Sequence, residues 1–426
     1  MADVSPLRGI RFDPAVVDMG VVLAPPYDVI SSPQQDVLYA RDLRNIVRID
    51  YGRVLDDDVA GSSDRYTRAA EHLGSWLRVG VLRRERQPAY YVTTQEFLMP
   101  DGAPQIRRGL LARVRAAPWA ASDLLPHERT LRGPKEDRLA LMRATNTQTS
   151  PVFALWQGAE GLVPLLDAVT ARPPDATAVS DGELGPETHR LWVVDDSREV
   201  SAIGAALAPS RLFVADGHHR YETAAAYAAE RRAAEPDAPP DADFEFCLVS
   251  VSDAADPGIA LLPTHRLLLP RHDAAFSLDD LWMRLSDQWE MEPAADLDSA
   301  IATAAGRRET DHAFATVGPD GTAVLFRPRD PHASARAALD VVVLQDEVLG
   351  PAGVDEEAIR SGALGYTREP SEVARAVGSG EALLGFCINP ATTAEMIAVA
   401  EAGEVMPQKS TYFYPKVPTG LVLSPA

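Results

Sequence analysis

The sequence predicts a mixed α/β (α+β) protein, and three observations carry that reading. Between residues 121 and 290, short apolar strand-like runs alternate with amphipathic helical stretches. Beyond 290 the pattern is strand, helix, strand, strand. Nowhere do about 18 consecutive apolar residues or a tandem repeat appear, which removes membrane-spanning helices and repeat architectures.

Taken in order, residues 1–120 form an N-terminal α+β region. Turns at PPYD (25–28) and SSP (31–33) precede a helical stretch from Ser63 to Val79. The strand-like PAYYVTTQEF, the turn MPDG and IRRGLLARVR then read as a hairpin. Residues 121–290 are expected as the core. EDRLALMRATN is amphipathic, SPVFALW and RLWVVD are strands, and RLFVA leads into the Ala-rich helix YETAAAYAAERRAAE. Two Pro/Asp-rich stretches, ARPPDATAVSDGELGPE (171–187) and AAEPDAPPDAD (233–243), are expected to be surface loops. Residues 291–426 open with QWEMEP just before them, then SAIATAAGR, HAFATVG and AVLFRP, with GPDG as the turn between the last two. The apolar strand EALLGFCIN follows, and the aromatic, lysine-bearing tail MPQKSTYFYPKVPTGLVL is expected to fold back onto the body.

A length of 426 residues favours two or three domains, with one intertwined enzyme as the alternative. The formal charge of −21 opposes duplex DNA and anionic membranes, where cationic side chains must replace counterions. Cys247 and Cys387 lie far apart in apolar runs and read as buried strand thiols, so no disulfide framework is expected. With no basic, apolar leader at the N-terminus, the expected compartment is the cytoplasm.

The strongest local signal is RLFVADGHHRYETAAAYAAE (211–230), a strand that meets a tight turn and opens into a helix. Helix N-termini attract anions, so Gly217 would allow close backbone approach while His218, His219 and Arg220 add donors to a phosphate cradle. The alanines at 224–226 would let the helix pack closely on the sheet. The competing reading is that Asp216 only caps the helix and the histidines face solvent. Zinc on the His pair is disfavoured, since adjacent helical side chains diverge by about 100°.

The second signal is LLPHERTLRGPKEDRLALMRATN (124–146). Glu128, beside His127, suits a general base; alternatively Glu128, Arg129, Lys135, Glu136, Asp137 and Arg138 form a solvated helix-start face. APPYDVIS (24–31) and MPQKSTYFYPK (406–416) read either as binding loops, with Lys409 and Lys416 meeting anions, or as prolines and aromatics packing two chain segments together. His265 reads as a satisfied, partly buried histidine. No P-loop, Rossmann glycine pattern or nucleophile elbow occurs.

PPYDVIS, LLPHERT, KEDRLALMRAT, SPVFALW, VADGHHRYETA, LLPTHR and MPQKSTYFYPKVPTGL, in this order, resemble the bacterial and archaeal family known as domain of unknown function 1015. Its HE and DGHHR motifs look like those of the ParB/sulfiredoxin superfamily, whose free-serine kinases carry a closely similar DGHHR. The resemblance implies a ParB/sulfiredoxin-like nucleotide-binding core at 121–290, with the flanking regions packed around it and the tail returning to the site. The 88 positions between Glu128 and Asp216 exceed the spacing in compact ParB-like domains, and 171–187 is the expected insertion.

The implied activity is a phosphotransferase acting on L-serine or O-phosphoserine with ATP or ADP, in serine biosynthesis and run as phosphoserine plus ADP to serine plus ATP. Glu128, Asp216 and His218 would be catalytic. Gly217, His219, Arg220 and Arg138 would bind nucleotide or phosphate. His127, Lys409, Ser410, Thr411, Lys416 and Asp28 would bind substrate, and Asp216 would hold Mg²⁺. A nucleotide-binding regulatory module without turnover, or a phosphoserine phosphatase, are the alternatives. The expected partners are the small molecules, with no DNA and no membrane, and a homodimer as the assembly left open.

Overall fold

A computed structural model of the chain describes residues 3–128, 132–270, 281, 283, 285–319, 321–351, 353–407 and 409–426. Arg129 and the GPDG residue Asp320 lie outside the described residues. The chain divides into two compact units, one of Met1–Pro126, Thr130–Ala260 and Pro415–Ala426, the other of His127–Arg129 and Leu261–Tyr414.

The first unit is built on a nine-stranded sheet. Its strands are β1 (Val4–Ser5), β2 (Tyr90–Leu98), β3 (Pro104–Arg115), β4 (Leu124–Leu125), β5 (Val152–Gln157), β6 (Ala176–Gly182), β7 (Gly185–Val194), β8 (Arg211–Asp216) and β9 (Phe246–Asp253). They lie in the order β4-β8-β5-β9-β3-β2-β7-β6, with β1 on β3. Only β4–β8 and β5–β9 pair in parallel.

Strand side chains alternate between faces, and here the alternation feeds two separate cores. Tyr91, Leu111, Leu191 and Leu248 join a cluster with Val22, Val47, Trp76 and Leu423. Their neighbours Tyr90, Leu110, Trp192 and Val249 join another with Leu166, Ile203, Tyr221 and Ala224. Each sheet face is therefore covered, the first by α1 (Arg65–Arg78) with short N-terminal helices. Helices α3 (Leu162–Thr170), α4 (Ser197–Leu207) and α5 (His218–Ala234) cover the second. Helix α2 (Arg132–Thr145) is joined to α5 by Lys135–Glu222 at 2.7 Å and by Arg143–Glu230.

The expected hairpin is β2–β3, closed at MPDG, where Gly102 takes φ +81° and Asp101 accepts from the Ala103 N–H at 2.9 Å. The helix expected from Ser63 to Val79 is α1, with Asp64 as its capping residue accepting from the N–H groups of Tyr66 and Thr67. One reading is corrected: 171–187 is not a loop but holds β6 and the start of β7, an edge hairpin. Ala176 and Ala178 point inward from it with exposed residues between, so a period-2 pattern built on small residues was masked by Pro and Asp. The stretch 233–243 does run as helix end and turns.

The C-terminal segment of this unit, 415–426, is laced into it. Thr419 and Ala24 exchange backbone hydrogen bonds, as do Leu423 and Ile10, and Ser424 pairs with Gln148. Backbone pairing thus packs Ala24, at the edge of the PPYD segment, against the chain at Thr419.

The second unit carries a six-stranded antiparallel sheet of β10 (His265–Leu268), β11 (Glu290–Ala294), β12 (Asp311–Gly318), β13 (Gly321–Pro328), β14 (Leu364–Thr367) and β15 (Leu384–Ile388). The order is β11-β13-β12-β15-β10-β14. Helix α6 (Leu297–Gly306) falls between β11 and β12, which is the expected strand, helix, strand, strand series. Its Ala300 and Ala304 pack with Ala313, Val324 and Cys387. Cys247 and Cys387 are both buried strand thiols. Among the described residues, no helix is long and apolar enough to cross a membrane.

Tyr91 shows what fixes the N-terminal segment: its buried hydroxyl accepts from the Gly9 N–H at 2.8 Å and donates to the Leu7 carbonyl at 3.2 Å. Tyr91→Phe leaves the buried Gly9 N–H unpaired, and should lower stability by about 1–3 kcal/mol in guanidinium unfolding. An unchanged midpoint would show that solvent reaches Gly9.

Candidate functional site

The DGHHR segment sits where β8 ends and α5 begins. The ladder between β8 and β5 shifts register between Val214 and Asp216, leaving Ala215 as an extra residue. Such a bulge re-aims the side chain that follows it. Asp216 is thereby presented to two cations: one carboxylate oxygen pairs with Arg220, four residues on, and the other with the Lys416 ammonium at 2.9 Å. Burial would raise the Asp216 carboxyl, but Lys416 and Arg220 hold it well below the usual carboxylate range.

Gly217 explains the G of the motif. Its φ of +96° is left-handed, and a Cβ there would lie 2.9 Å from the Arg220 Nε. Glycine therefore lets the backbone turn and lets Arg220 fold back onto Asp216. Gly217 is also the capping residue of α5, with no side-chain cap hydrogen bond. The reading of Asp216 as a simple helix cap is thus overturned, because both its oxygens serve cations. The helix N–H groups keep their anion-attracting end.

The histidines do not share one environment. His218 is buried, with its ring 6.2 Å from the Trp119 ring, so the solvent-facing reading fails for it. His219 is half-buried, and burial pushes its imidazole below the ordinary value. Of the alanines at 224–226, only Ala224 is buried; Tyr221, Ala224, Tyr227 and Ala228 form the inward stripe and Ala226 is exposed.

Lys416 arrives on the tail. Its backbone is fixed by Arg107, which donates to the Pro415 carbonyl at 2.7 Å, and by Gln95, which donates to the Lys416 carbonyl at 3.1 Å. Asp28, from the PPYD turn, acts electrostatically on both Arg220 and His219. Arg138 is not on a solvated face: it is buried, pairs with Asp50 at 3.2 Å and Asp137 at 2.6 Å, and lies 4.1 Å from the Tyr27 ring. The first unit therefore gathers Asp28, Arg138, Asp216, Gly217, His218, His219, Arg220 and Lys416.

The second unit holds the other expected residues. His127 is buried and its Nε2 lies 3.0 Å from the Thr411 hydroxyl. Its carbonyl accepts from the Met406 N–H, and half-buried Glu128 bridges to Met406. Ser410 donates to the Pro407 carbonyl at 2.6 Å, and the Lys409 carbonyl accepts from Arg266 at 3.1 Å. His127, Glu128, Lys409, Ser410 and Thr411 thus share one neighbourhood. His265, also here, is buried, with its imidazole lowered to about 4 by that burial.

Sequence reasoning missed Asp50. This buried carboxylate accepts through Oδ1 from Thr149 at 2.6 Å, Ser150 at 3.0 Å and Arg138, and its charge reaches Arg220. Its Oδ2 has no hydrogen-bond partner, and it lines a cavity of about 30 Å³ with Arg138 and Arg220, a space of water size. One acid inside the apolar run NIVRIDY was the available signal. Trp119 and Arg107 were missed too, having no motif around them, and Glu222 was passed over inside the 211–230 motif.

A resident Mg²⁺ on Asp216 does not fit these residues. Both carboxylate oxygens face cationic nitrogens, and among the described residues no three His, Cys, Asp or Glu side chains gather as metal ligands. Any magnesium that travels with nucleotide phosphates is part of the substrate.

The family model described as "Protein of unknown function (DUF1015)" matches residues 4–342. The chain belongs to the DUF1015 family. No curated protein matches this DUF1015 chain. Solved structures similar to it include a conserved hypothetical protein from Pyrococcus furiosus, at 13% identity and TM-score 0.36, covering 71% of this chain and 91% of that one. A free serine kinase in complex with AMP matches at 14% identity and TM-score 0.36, covering 68% and 83%. SbnI with a C-terminal truncation, from Staphylococcus aureus, matches at 13% identity and TM-score 0.34, covering 72% and 84%.

Two outcomes are expected at the turn. Asp216→Asn removes the carboxylate that Arg220 and Lys416 share and should cost about 3 kcal/mol at pH 7. Because the native carboxyl is depressed, this contribution is complete above the unfolded value of about 4 and lost as pH falls through the native one. The wild-type minus Asn difference in urea unfolding should then be flat from about pH 5 to 8 and shrink only below about 4. A difference that fades between pH 7 and 5 would refute the assignment. Gly217→Ala should cost at least ~1–2 kcal/mol, because it adds left-handed strain and displaces Arg220.

Proposed function

We propose that this DUF1015 protein is a phosphotransferase that moves a phosphoryl group between an adenine nucleotide and L-serine, run as O-phosphoserine plus ADP to serine plus ATP. The observation that carries the reading is the turn at 216–220. There, Arg220 and Lys416 converge on the Asp216 carboxylate at the start of α5, the end of a helix that attracts anions. Further support comes from the DGHHR motif, which is closely similar to that of free-serine kinases.

In the proposed direction a terminal β-phosphate oxygen of ADP attacks the phosphorus of phosphoserine. The bond between phosphorus and the serine oxygen breaks, and Glu128, protonated at that stage, returns its proton to the departing alkoxide. In reverse, Glu128 accepts the serine hydroxyl proton as the hydroxyl attacks the γ-phosphorus. Arg220, His219 and the helix N–H groups hold phosphate oxygens, and His218 and Asp216 fix their geometry. Lys409, Ser410 and Thr411, with His127, take the amino-acid side, and Lys416 and Asp28 frame the charge around the phosphates. Catalysis is by positioning and charge stabilisation.

The test follows serine and ATP from phosphoserine with and without ADP and Mg²⁺. Product should appear only with ADP, and Glu128→Gln should slow turnover by about 10²–10⁴-fold. Serine and free phosphate released without ADP would make the protein a hydrolase instead. Normal turnover in Glu128→Gln would remove Glu128 from the proton step.

A further inference from the structure

Away from the 216–220 turn, the first unit has a groove of about 400 Å³, within the range of about 300–1,000 Å³ typical of small-ligand sites. Its walls are the helix Ser32–Arg41, the short helix Val47–Asp50 with the loop after it, and α1. They are tied together before any ligand arrives. The Tyr39 hydroxyl accepts from the Arg53 N–H at 2.9 Å, Gln35 donates to the Tyr51 carbonyl at 2.8 Å, and Arg68 donates to the Arg53 carbonyl at 2.8 Å. A preformed wall lowers the ordering cost of binding.

Three arginines line the groove, and their charges are not equally answered. Arg53 pairs with Asp36, and Arg68 pairs with Asp58. Arg48 has no carboxylate among the described residues: its Nη2 donates to the Tyr39 carbonyl at 2.8 Å, and its Nε is buried with no partner. His72 adds no charge near neutrality, because burial, then Arg48 and Arg68, lower its imidazole; Glu71 opposes this. In a chain of net charge −21, one half-buried guanidinium without a counter-charge, set in a concavity, is an exception that asks for an anion.

The rest of the lining defines the body of that anion. The Arg48 and Arg53 guanidinium carbons lie 4.4 Å and 4.2 Å from the Tyr39 ring centre, and Leu55 is 44% exposed in the same groove. A flat or apolar group can lie against such surfaces. One unanswered positive charge matches a monoanion better than a phosphate dianion. We infer that this groove is a binding site for a small monocarboxylate with a flat, apolar body, its carboxylate on Arg48 and its body against Leu55 and the stack of guanidinium and Tyr39 ring.

Calorimetric titration of the full chain tests this, with benzoate as probe and benzamide and inorganic phosphate as comparisons. Benzoate should saturate at one site, with benzamide and phosphate at least tenfold weaker. Arg48→Met should weaken benzoate at least tenfold. Leu55→Asp, an exposed change that sets a carboxylate in the groove without touching the core, should do the same, and circular dichroism checks that both variants fold. Arg375→Met, an exposed change on the second unit, should leave benzoate affinity within twofold. Failure of benzoate to saturate, phosphate or benzamide binding as well as benzoate, full affinity in folded Arg48→Met or Leu55→Asp, or loss in Arg375→Met would each overturn the site.

Discussion

Asp216 is the hinge of the first unit. A carboxylate and two cations taken largely out of water are costly unless each is answered, and here each is answered by an element from a different part of the chain. The strand delivers Asp216, the helix delivers Arg220, and a segment 200 positions downstream delivers Lys416. Arg220 also donates to the Pro151 carbonyl at the start of β5, so the same guanidinium ties the helix to a neighbouring strand. If Asp216 is removed, the strand, helix and tail lose their common anchor.

Around that anchor the sheet separates its two faces cleanly. Successive residues on β2, β3, β7 and β9 feed different apolar clusters, so helices are needed on both sides. Polar interior groups then gather where the tail crosses. Thr419 meets Ser150, Ser150 meets Asp50, and Asp50 meets Arg138, a relay of buried hydrogen bonds from tail to α2. The second unit rests on its own antiparallel sheet and keeps its own polar neighbourhood at His127 and Thr411.

Much of this was legible in the sequence where local rules govern. Asp-Gly at 101–102 announced a hairpin, the Ser63–Val79 stretch announced α1, and apolar runs around both cysteines announced buried strands. The strand, turn and helix at 211–230 were readable because Gly and the change of period lie side by side. What stayed hidden depends on distant pairing. Strand β6 looked like a loop, since edge pairing with β7 and small inward alanines outweigh its poor composition. Asp50 and Arg107 carry no motif, and they take on importance through partners about 90 and 300 positions away. The Asp216 cap reading was reasonable from local chemistry and lost to Arg220 four residues on and to Lys416, which lies 200 positions away.

The lacing of 415–426 into the first unit sets an order on synthesis. A growing chain that has not reached residue 416 already contains β8, Gly217 and Arg220, but holds Asp216 with only one of its two cations. All of 261–414 must be made, at about 5–20 residues per second, before the closing segment appears. For those seconds, the surfaces that receive Thr419, Leu423 and Ser424 stand open to water. The unit that starts first is therefore the one that finishes last, and the turn at 216–220 gains its second cation only at that closure.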